Sequence, residues 1–246
     1  MRIIVTAGPT REYLDPVRFL SNPSTGKMGF AIAAEAARRG HDVTLIAGPV
    51  ALKTPKGAGR VDVVSAREML AACRKALTVP EASSPRGVVA AVGRSSATQR
   101  GRCGYGEVVF ISTAAVADWR PAKCAAKKLK KSQMSGVLKL VRNPDVLKTI
   151  DSYRRRSVAV GLRLVGFAAE TDHVLAEAAR KCREKGLEFI VANDVTKKGS
   201  GFGTDTNRVT FVFPDGTQKK FPLMTKRMVA KRILDALSSV SAGREG

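Results

Sequence analysis

The sequence predicts an α/β fold, namely a three-layer Rossmann-like or ribokinase-like domain with a mainly parallel central sheet and a small β-hairpin extension. Short runs of β-branched and apolar residues alternate with longer amphipathic stretches along most of the chain. Several short runs end in Gly-Pro or in small residues before the next amphipathic stretch begins. This alternation is typical of β-α-β units, in which helical crossovers join parallel strands. We expect one domain over residues 1–246, because this length supports a sizeable core.

The first β-α-β unit occupies the N-terminal part of the chain. Residues 2–7 form an apolar run that stops at Gly8-Pro9, which predicts a buried strand followed by a loop. Residues 27–39 predict a helix that ends at Gly40 with arginines in its last turn. Residues 42–47 predict the second strand of the unit.

The remaining elements continue the same alternation. Further strands are predicted at 61–64, 107–112, 159–168 and 188–192. Further helices are predicted at 66–77, behind the capping box Ser65-Ala66-Arg67-Glu68, and at 144–153, 171–185 and 225–237. The hairpin is predicted from two short runs, 208–213 and 218–221, that flank Pro214-Asp215-Gly216-Thr217. Residues 81–106 are rich in Ser, Gly and Arg and lack periodicity, which predicts a flexible insertion.

The chain is strongly basic, with 43 Lys and Arg against 21 Asp and Glu and a formal net charge of +22. Two stretches, 86–102 and 120–142, contain basic residues and no acid. This balance indicates either a nucleic-acid partner or an anionic substrate. Aromatic residues make up only 5% of the chain and do not interleave with basic residues as in RNA-stacking modules. We therefore expect no specific nucleic-acid partner.

Metal-binding and membrane signals are weak. The four cysteines are scattered without a C-x-x-C pair, which argues against a structural zinc site. His41 and His173 are interpreted as surface or capping residues. No apolar run approaches the ~20 residues of a membrane-spanning helix, and the first residues lack a signal-peptide pattern. We expect a cytoplasmic protein without a membrane partner.

The stretch SNPSTGKMG at 21–29 has the Gly-Lys pair of a phosphate-binding loop but not the flanking residues. Ser21 replaces the first glycine of that motif, and Met28 replaces its magnesium-binding hydroxyl. Because the stretch leads into a predicted helix, its backbone N–H groups would suit a phosphate or a carboxylate. Asn22 would donate a hydrogen bond to a developing oxyanion. The alternative is that Asn22-Pro23 only forms a turn.

Open parallel sheets bind ligands beyond the strand ends, and three further loops have this position: 113–142, 169–171 and 193–207. The small residues at 113–117 would let a flat ligand approach the backbone. Asp118 would bind ribose hydroxyls or a cation. The lysine run at 127–131 would be either solvated or folded over an anionic nucleotide. Lys181 and Lys185 share one helix face and would reach a triphosphate, unless they are solvated.

Eight stretches carry a resemblance to one family. In chain order they are VTAGPTRE (5–12), DPVR (15–18), SNPSTGKMG (21–29), AAVADW (114–119), KLKK (128–131), NPDVL (143–147), VGFAAET (165–171) and AND (192–194). Their order and content resemble phosphopantothenoylcysteine synthetase, the ligase half of the bifunctional flavoprotein of coenzyme A biosynthesis. The resemblance spans nearly the whole chain apart from 81–106.

The resemblance implies a bacterial, CTP-dependent phosphopantothenate–cysteine ligase. Such enzymes convert the carboxylate of 4′-phosphopantothenate to an acyl-cytidylate and release pyrophosphate, and the amine of L-cysteine then displaces CMP. The resemblance also implies Mg²⁺ or another divalent cation, a homodimer and a mobile active-site loop at about 119–140. Because the chain begins at the ligase, we expect no FMN on it. The decarboxylase of the pathway would be a separate protein or a segment not included here.

Site residues are implied by positions that match the family. Asn22 matches a residue implicated in conversion of the acyl-cytidylate, and Lys128 matches a loop lysine needed for its formation. Nucleotide contacts are implied for Ser112, Thr113, Ala114, Asp118, Lys128, Pro144, Asp145, Val146, Leu147, Phe167, Lys181 and Lys185. Substrate contacts are expected for Asn22, Ser24, Gly26 and Lys27. The metal ligands stay unknown, with Asp118 as a candidate. Lys127 departs from the family, which often has an acid at this position.

Two other functional classes remain as alternatives. An NAD(P)-binding Rossmann oxidoreductase is disfavoured because G-x-G-x-x-G is absent after the first strand, and failure to bind NAD(P)H would exclude it. A basic nucleic-acid-binding module would retain DNA at moderate salt, where association by charge alone weakens steeply. The choice between CTP and ATP does not follow from these residues.

Overall fold

The computed structural model describes residues 1–78, 107–130, 136–156, 161–170, 174–195, 197 and 199–242. The insertion predicted at 81–106 lies outside the described residues, as do Lys131, Thr171 and His173. Of the loop predicted at about 119–140, the described parts are 119–130 and 136–140.

In residues 1–78 and 107–121, the structure has nine elements. They are β1 (Arg2–Ala7), β2 (Arg11–Tyr13), β3 (Phe19–Ser21), α1 (Lys27–Arg38), β4 (Asp42–Ala47), β5 (Ala58–Asp62), α2 (Ala66–Thr78), β6 (Val108–Ser112) and β7 (Trp119–Pro121). The second half adds β8 (Leu140–Arg142), α3 (Val146–Arg156), β9 (Leu162–Glu170), α4 (Val174–Glu184), β10 (Phe189–Asp194), β11 (Thr206–Asn207), β12 (Val209–Val212), β13 (Gln218–Lys220), β14 (Met224–Thr225) and α5 (Lys226–Ala242). None of the helices in the described part of the chain is both long and apolar enough to cross a bilayer.

The central sheet has eight strands in the order β13-β12-β10-β9-β6-β1-β4-β5. The six strands from β10 to β5 pair in parallel, whereas β12 and β13 pair antiparallel at one edge. The mainly parallel sheet predicted from the sequence is therefore confirmed. Read from β5 to β10 and renumbered by their position in the chain, the six parallel strands have the order 3-2-1-4-5-6, which is that of dinucleotide-binding folds. The order reverses between β1 and β6, so a crevice is expected at the carboxyl ends of these strands.

Two hydrophobic clusters cover the two faces of the sheet. In β1, Ile3 belongs to the cluster formed with α1 and α5, whereas its neighbour Ile4 belongs to the cluster formed with α2, α3 and α4. Both side chains are fully buried. Successive side chains of a strand point to opposite faces, so a strand covered on both sides consists almost entirely of apolar residues. This explains why the continuous apolar run in the sequence marked β1 correctly.

The hairpin expected at 208–221 is confirmed as β12 and β13, and it extends the central sheet because β12 pairs with β10. Two other expectations need correction. The strand expected at 61–64 is β5 at Ala58–Asp62, because its pairing with β4 at the sheet edge sets its bounds. The ends of the loop expected at 119–140 are paired strands, β7 and β8. The small ribbons β2–β3, β7–β8 and β11–β14 were not predicted, because strands of two or three residues carry too little periodicity.

Candidate functional site

A cavity opens beside the start of α1 at the carboxyl ends of β6, β9 and β10. Its lining consists of Ser24, Thr25, Gly26, Lys27, Met28, Gly29, Thr113, Phe167, Ala168, Ala169, Asn193, Gly201, Phe202, Asn207 and Lys226. These residues come from five separate parts of the chain, which the sheet order brings to one edge. The cavity lies where ligands bind in open α/β sheets.

The start of α1 presents backbone donors to this cavity. The first bond of the helix runs from the N–H of Phe30 to the carbonyl of Gly26 at 3.1 Å, so the N–H groups of residues 27–29 precede the regular ladder. Gly26 has a φ of 76° and provides no side chain to cap the helix. Uncapped N–H groups and the positive end of the helix dipole favour an anionic group. The anion-binding role expected for 21–29 stays a prediction, which these free backbone donors make chemically reasonable.

Gly29 allows α1 to pack directly on the sheet. A Cβ at this position would lie 2.5 Å from Cβ of Ala7 and 2.5 Å from Oγ1 of Thr113. Thr113 is fixed in turn, since its Oγ1 donates to the carbonyl of Thr6 at 2.5 Å. The third residue of the helix therefore has no room for a side chain, and the absence of one sets the distance between α1 and the sheet.

Replacing Gly29 by alanine should displace the start of α1 from the sheet. We expect the free energy of unfolding to fall by about 1–3 kcal/mol, the usual cost of overpacking. The affinity for an anionic ligand should also fall, because the displaced helix start would carry the backbone N–H groups away from the cavity. Urea unfolding and ligand titration would measure the two effects. Gly59→Ala is the matched control, because a Cβ there meets only the carbonyl of Val43 at 3.6 Å. Equal behaviour of the two variants would contradict the close approach of α1.

Asn193 contributes an unusual polar group to the cavity. The residue is 7% exposed, and its Oδ1 atom is buried without a hydrogen-bond partner among the described residues. Buried polar atoms almost always have a partner in native proteins. The orphaned oxygen therefore indicates that a hydrogen-bond donor of a ligand or a water molecule completes this site.

Two lysines hold a glycine-rich segment, 199–205, against the cavity. Lys27 Nζ donates to the carbonyl of Gly203 at 2.9 Å and to Oδ1 of Asp205 at 2.7 Å. Lys226 is buried, and its Nζ donates to the carbonyls of Gly201, at 3.3 Å, and Thr204. Burial and the charge of Lys27 lower the pKa of Lys226, while the hydrogen bond from Lys27 lowers the pKa of Asp205. The cavity thus combines two amines with the helix start.

The structure brings only part of the predicted site into the cavity. Of the predicted residues, Ser24, Gly26, Lys27, Thr113 and Phe167 line it. The other lining residues were not predicted to have a role: Thr25, Met28, Gly29, Ala168, Ala169, Asn193, Gly201, Phe202, Asn207 and Lys226. The position of loop 193–207 after a strand was a signal for Asn193 and Asn207. Lys226 had no such signal, because it begins a helix far along the chain.

Asn22 lies beside the cavity and joins two loops. Its Nδ2 atom donates to the carbonyls of Ala115, at 3.0 Å, and Val116, at 3.2 Å. The amide thereby ties the stretch before α1 to the loop that follows β6. Both N–H bonds of this amide face carbonyls. For Asn22 to donate to an oxyanion as expected, it would have to break one of these two hydrogen bonds and form one to the ligand instead.

The start of α3 forms a second group of predicted nucleotide contacts. Asp145 Oδ1 accepts the N–H of Lys148 at 2.9 Å, and its Oδ2 accepts Nζ of Lys185 at 2.7 Å. The side chains of Val146 and Leu147 are buried in the core, so contacts with a ligand would have to use their backbone. Asp145 thus caps the helix and also fixes one of the two lysines that were expected to meet a phosphate.

Other predicted residues lie on the loop after β6 or beyond it. Ala114 is held by its N–H, which donates to Oγ1 of Thr6 at 3.3 Å. Asp118 and Lys128 are exposed, and Lys181 is partly buried. Within the described ranges, no group of three or more His, Cys, Asp or Glu residues could hold a metal ion.

Comparisons with known proteins agree on one family. The model of the DNA/pantothenate metabolism flavoprotein C-terminal domain matches residues 1–93 and 97–240. The chain is 42% identical over 240 residues to the coenzyme A biosynthesis bifunctional protein CoaBC of Escherichia coli (strain K12), covering 96% of this chain and 51% of that protein. For CoaBC of Bacillus subtilis (strain 168), the identity is 40% over 240 residues, with 97% and 51% covered. The chain thus spans about half the length of these relatives.

Solved structures give the same result. The crystal structure of the C-terminal domain of CoaBC superposes with a TM-score of 0.72 at 36% identity, covering 98% of this chain and 96% of that chain. A Cab2 mutant in complex with phosphopantothenate-cysteine has a TM-score of 0.71 at 14% identity, with 99% and 88% covered, and at this identity it supports the fold alone. The chain belongs to the DNA/pantothenate metabolism flavoprotein C-terminal domain family.

Proposed function

We propose that the protein is a phosphopantothenate–cysteine ligase of coenzyme A biosynthesis. The observation that carries this proposal is the cavity at the start of α1, where uncapped N–H groups, two amines and the orphaned Asn193 oxygen face one space. Such a site suits a phosphorylated ligand with hydrogen-bond donors. Relatives named for coenzyme A biosynthesis support the assignment.

The reaction begins with activation of the carboxylate of 4′-phosphopantothenate. An amine cannot displace oxide from a carboxylate, so a better leaving group is needed. A carboxylate oxygen attacks the α-phosphorus of CTP, and pyrophosphate leaves. The start of α1 would hold phosphate oxygens, and Lys128 would offset the negative charge that develops on the α-phosphate. Lys181, Lys185 and the start of α3 would hold the rest of the nucleotide.

The second step forms the amide. The amine of L-cysteine attacks the acyl carbon, the C–O bond to the phosphate breaks, and CMP leaves. Asn22 lies between the loop before α1 and the loop after β6, so it would orient the acyl-cytidylate for this attack. Ser24, Gly26 and Lys27 would contact the substrate. A divalent cation, Mg²⁺ in the simplest case, would neutralise the triphosphate.

The donor set fits a cation of this kind. Mg²⁺ usually binds through one or two carboxylates together with substrate phosphates, not in a cage of protein ligands. The exposed Asp118, in the loop after β6, would supply such a carboxylate.

We also propose that the protein acts as a homodimer. Large apolar side chains are exposed on or beside the ribbons β2–β3 and β7–β8: Val17, Phe19, Trp119, Leu138 and Leu140. Exposed apolar surface of this kind marks interaction sites. The decarboxylase of the pathway would be a separate protein or a segment outside the given sequence. Sedimentation equilibrium would test the dimer, and a monomer at micromolar concentration would contradict it.

A pyrophosphate-release assay tests the ligase proposal. With phosphopantothenate and CTP alone, we expect pyrophosphate release of about one equivalent per site. Adding cysteine should give turnover and an amide product, and ATP should replace CTP poorly. Absence of pyrophosphate release with either nucleotide would contradict the proposed function.

A further inference from the structure

The connection between β2 and β3 contains an ion pair between the buried Asp15 and the partly exposed Arg18. Asp15 is 0% exposed. Its Oδ1 accepts the N–H groups of Val17 and Arg18, both at 2.9 Å. Its Oδ2 accepts Nε and Nη2 of Arg18 at 3.0 and 2.5 Å. The hydrogen bond from Arg18 holds the pKa of Asp15 far below its ordinary value, so the carboxylate stays charged at neutral pH.

The same pair binds Leu129, which lies in the lysine run at 127–131, called the lysine segment below. Asp15 Oδ2 also accepts the N–H of Leu129 at 3.2 Å, and Nη2 of Arg18 donates to the carbonyl of Leu129 at 3.0 Å. Both backbone polar groups of Leu129 are thus bonded to one ion pair. A third bond, from the N–H of Ala125 to the carbonyl of Leu14 at 2.8 Å, fixes the segment four residues earlier.

This arrangement has a consequence for Lys128, which directly precedes Leu129. The exposed lysine side chain is attached to a backbone that is fixed on both sides. The β2–β3 connection continues through β3 to Asn22. One short stretch of chain therefore carries both the ion pair that binds Leu129 and the candidate catalytic asparagine. A surface loop without a functional constraint would not need a fully buried carboxylate, since burying a charge is costly unless it is paired.

We propose that Asp15 is a positioning residue, which together with Arg18 holds the backbone of Leu129 as a clamp. The clamp thereby places the side chain of Lys128 over the reacting phosphate, on the same side of the site as Asn22. The inference rests on the proposed ligase function. It predicts that the contribution of Asp15 to activity passes through Lys128 alone. Displacement of a catalytic group by about 1 Å can cost on the order of 100-fold in rate.

Asp15→Asn tests the clamp with little change of shape. The amide of the introduced asparagine places an NH₂ group against N–H donors that the carboxylate of Asp15 accepts. It also removes the negative charge that pairs with Arg18. Pyrophosphate release should fall roughly 100-fold. In a Lys128→Gln background, the same substitution should cause little further loss, because no lysine remains to be placed. Multiplicative losses in the double variant would overturn the inference, as would wild-type activity of Asp15→Asn.

Asp151→Asn is the matched control. Asp151 is also buried and accepts Nη2 of Arg154, three residues later, at 2.5 Å, but it lies in α3 and not in the clamp. Its variant should release pyrophosphate at close to the wild-type rate. An equal loss in both variants would show a general effect of breaking a buried pair, which would overturn the proposal. If Asp15→Asn does not fold, Arg18→Lys keeps the charge but loses the guanidinium fork that reaches Leu129, and it should give the same loss.

Limited proteolysis separates this inference from the proposed function. Trypsin should cleave after Lys127 and Lys128 faster in Asp15→Asn than in the wild type or in Asp151→Asn, and equal rates would overturn the clamp. The readout needs no substrate. Failure of the wild type to release pyrophosphate would therefore remove the ligase proposal, while proteolysis would still decide whether Asp15 holds the segment.

Discussion

Replacing Lys128 by glutamine should lower pyrophosphate release by on the order of 100- to 1,000-fold, the loss expected when one electrostatic contact to a transition state is removed. Negative charge shifts toward the leaving pyrophosphate as the carboxylate attacks the α-phosphorus. An ammonium group at this point stabilises the transition state more than the bound substrate, so the effect should appear in kcat. The measurement is the single-turnover rate of pyrophosphate release with phosphopantothenate and CTP.

The neighbouring lysines are the controls for this experiment. Lys127 and Lys130 are exposed on the same described segment, so Lys127→Gln and Lys130→Gln remove the same charge close by. Each should retain activity within a few-fold, because a charge that does not contact the phosphate acts on it only through solvent, which screens the interaction. If all three variants lose activity equally, the segment acts only as a diffuse positive patch.

Replacing Asn22 by aspartate should separate the two half-reactions. The new carboxylate would face the carbonyls of Ala115 and Val116, to which the native amide donates, and would repel both these carbonyls and the phosphate of the acyl-cytidylate. We expect release of pyrophosphate with accumulation of the nucleotidylate and little amide product. Quenched-flow analysis with labelled phosphopantothenate, with and without cysteine, would measure each species.

A second variant at the same position distinguishes the added charge from the loss of the amide. Asn22→Ala removes the two hydrogen bonds without adding charge and should be impaired less than Asn22→Asp. Normal amide formation by Asn22→Asp would contradict the role assigned to this residue.

Local sequence patterns were sufficient to predict the position and bounds of the strands that are buried on both sides. The strands expected at 2–7 and 42–47 are β1 and β4 with the same bounds, because most of their residues are apolar and are covered by helices on the two faces of the sheet. α1 ends one residue before the predicted boundary, since Gly40 follows its last turn. The bounds predicted for β5 were wrong because none of the side chains of this edge strand is fully buried, so its residues show no clear apolar pattern.

The sequence by itself determined the alternation of strands and helices and the family, and it predicted anion binding by the stretch before α1. Tertiary structure alone decided which distant residues meet there. Lys27 reaches Asp205 across 178 residues, and Arg18 reaches Leu129 across 111. Such contacts depend on the order of strands in the sheet, which brings separate loops to one edge and leaves no periodic trace in the chain. For this reason the orphaned oxygen of Asn193, the buried amine of Lys226 and the Asp15–Leu129 clamp became visible only in the folded protein.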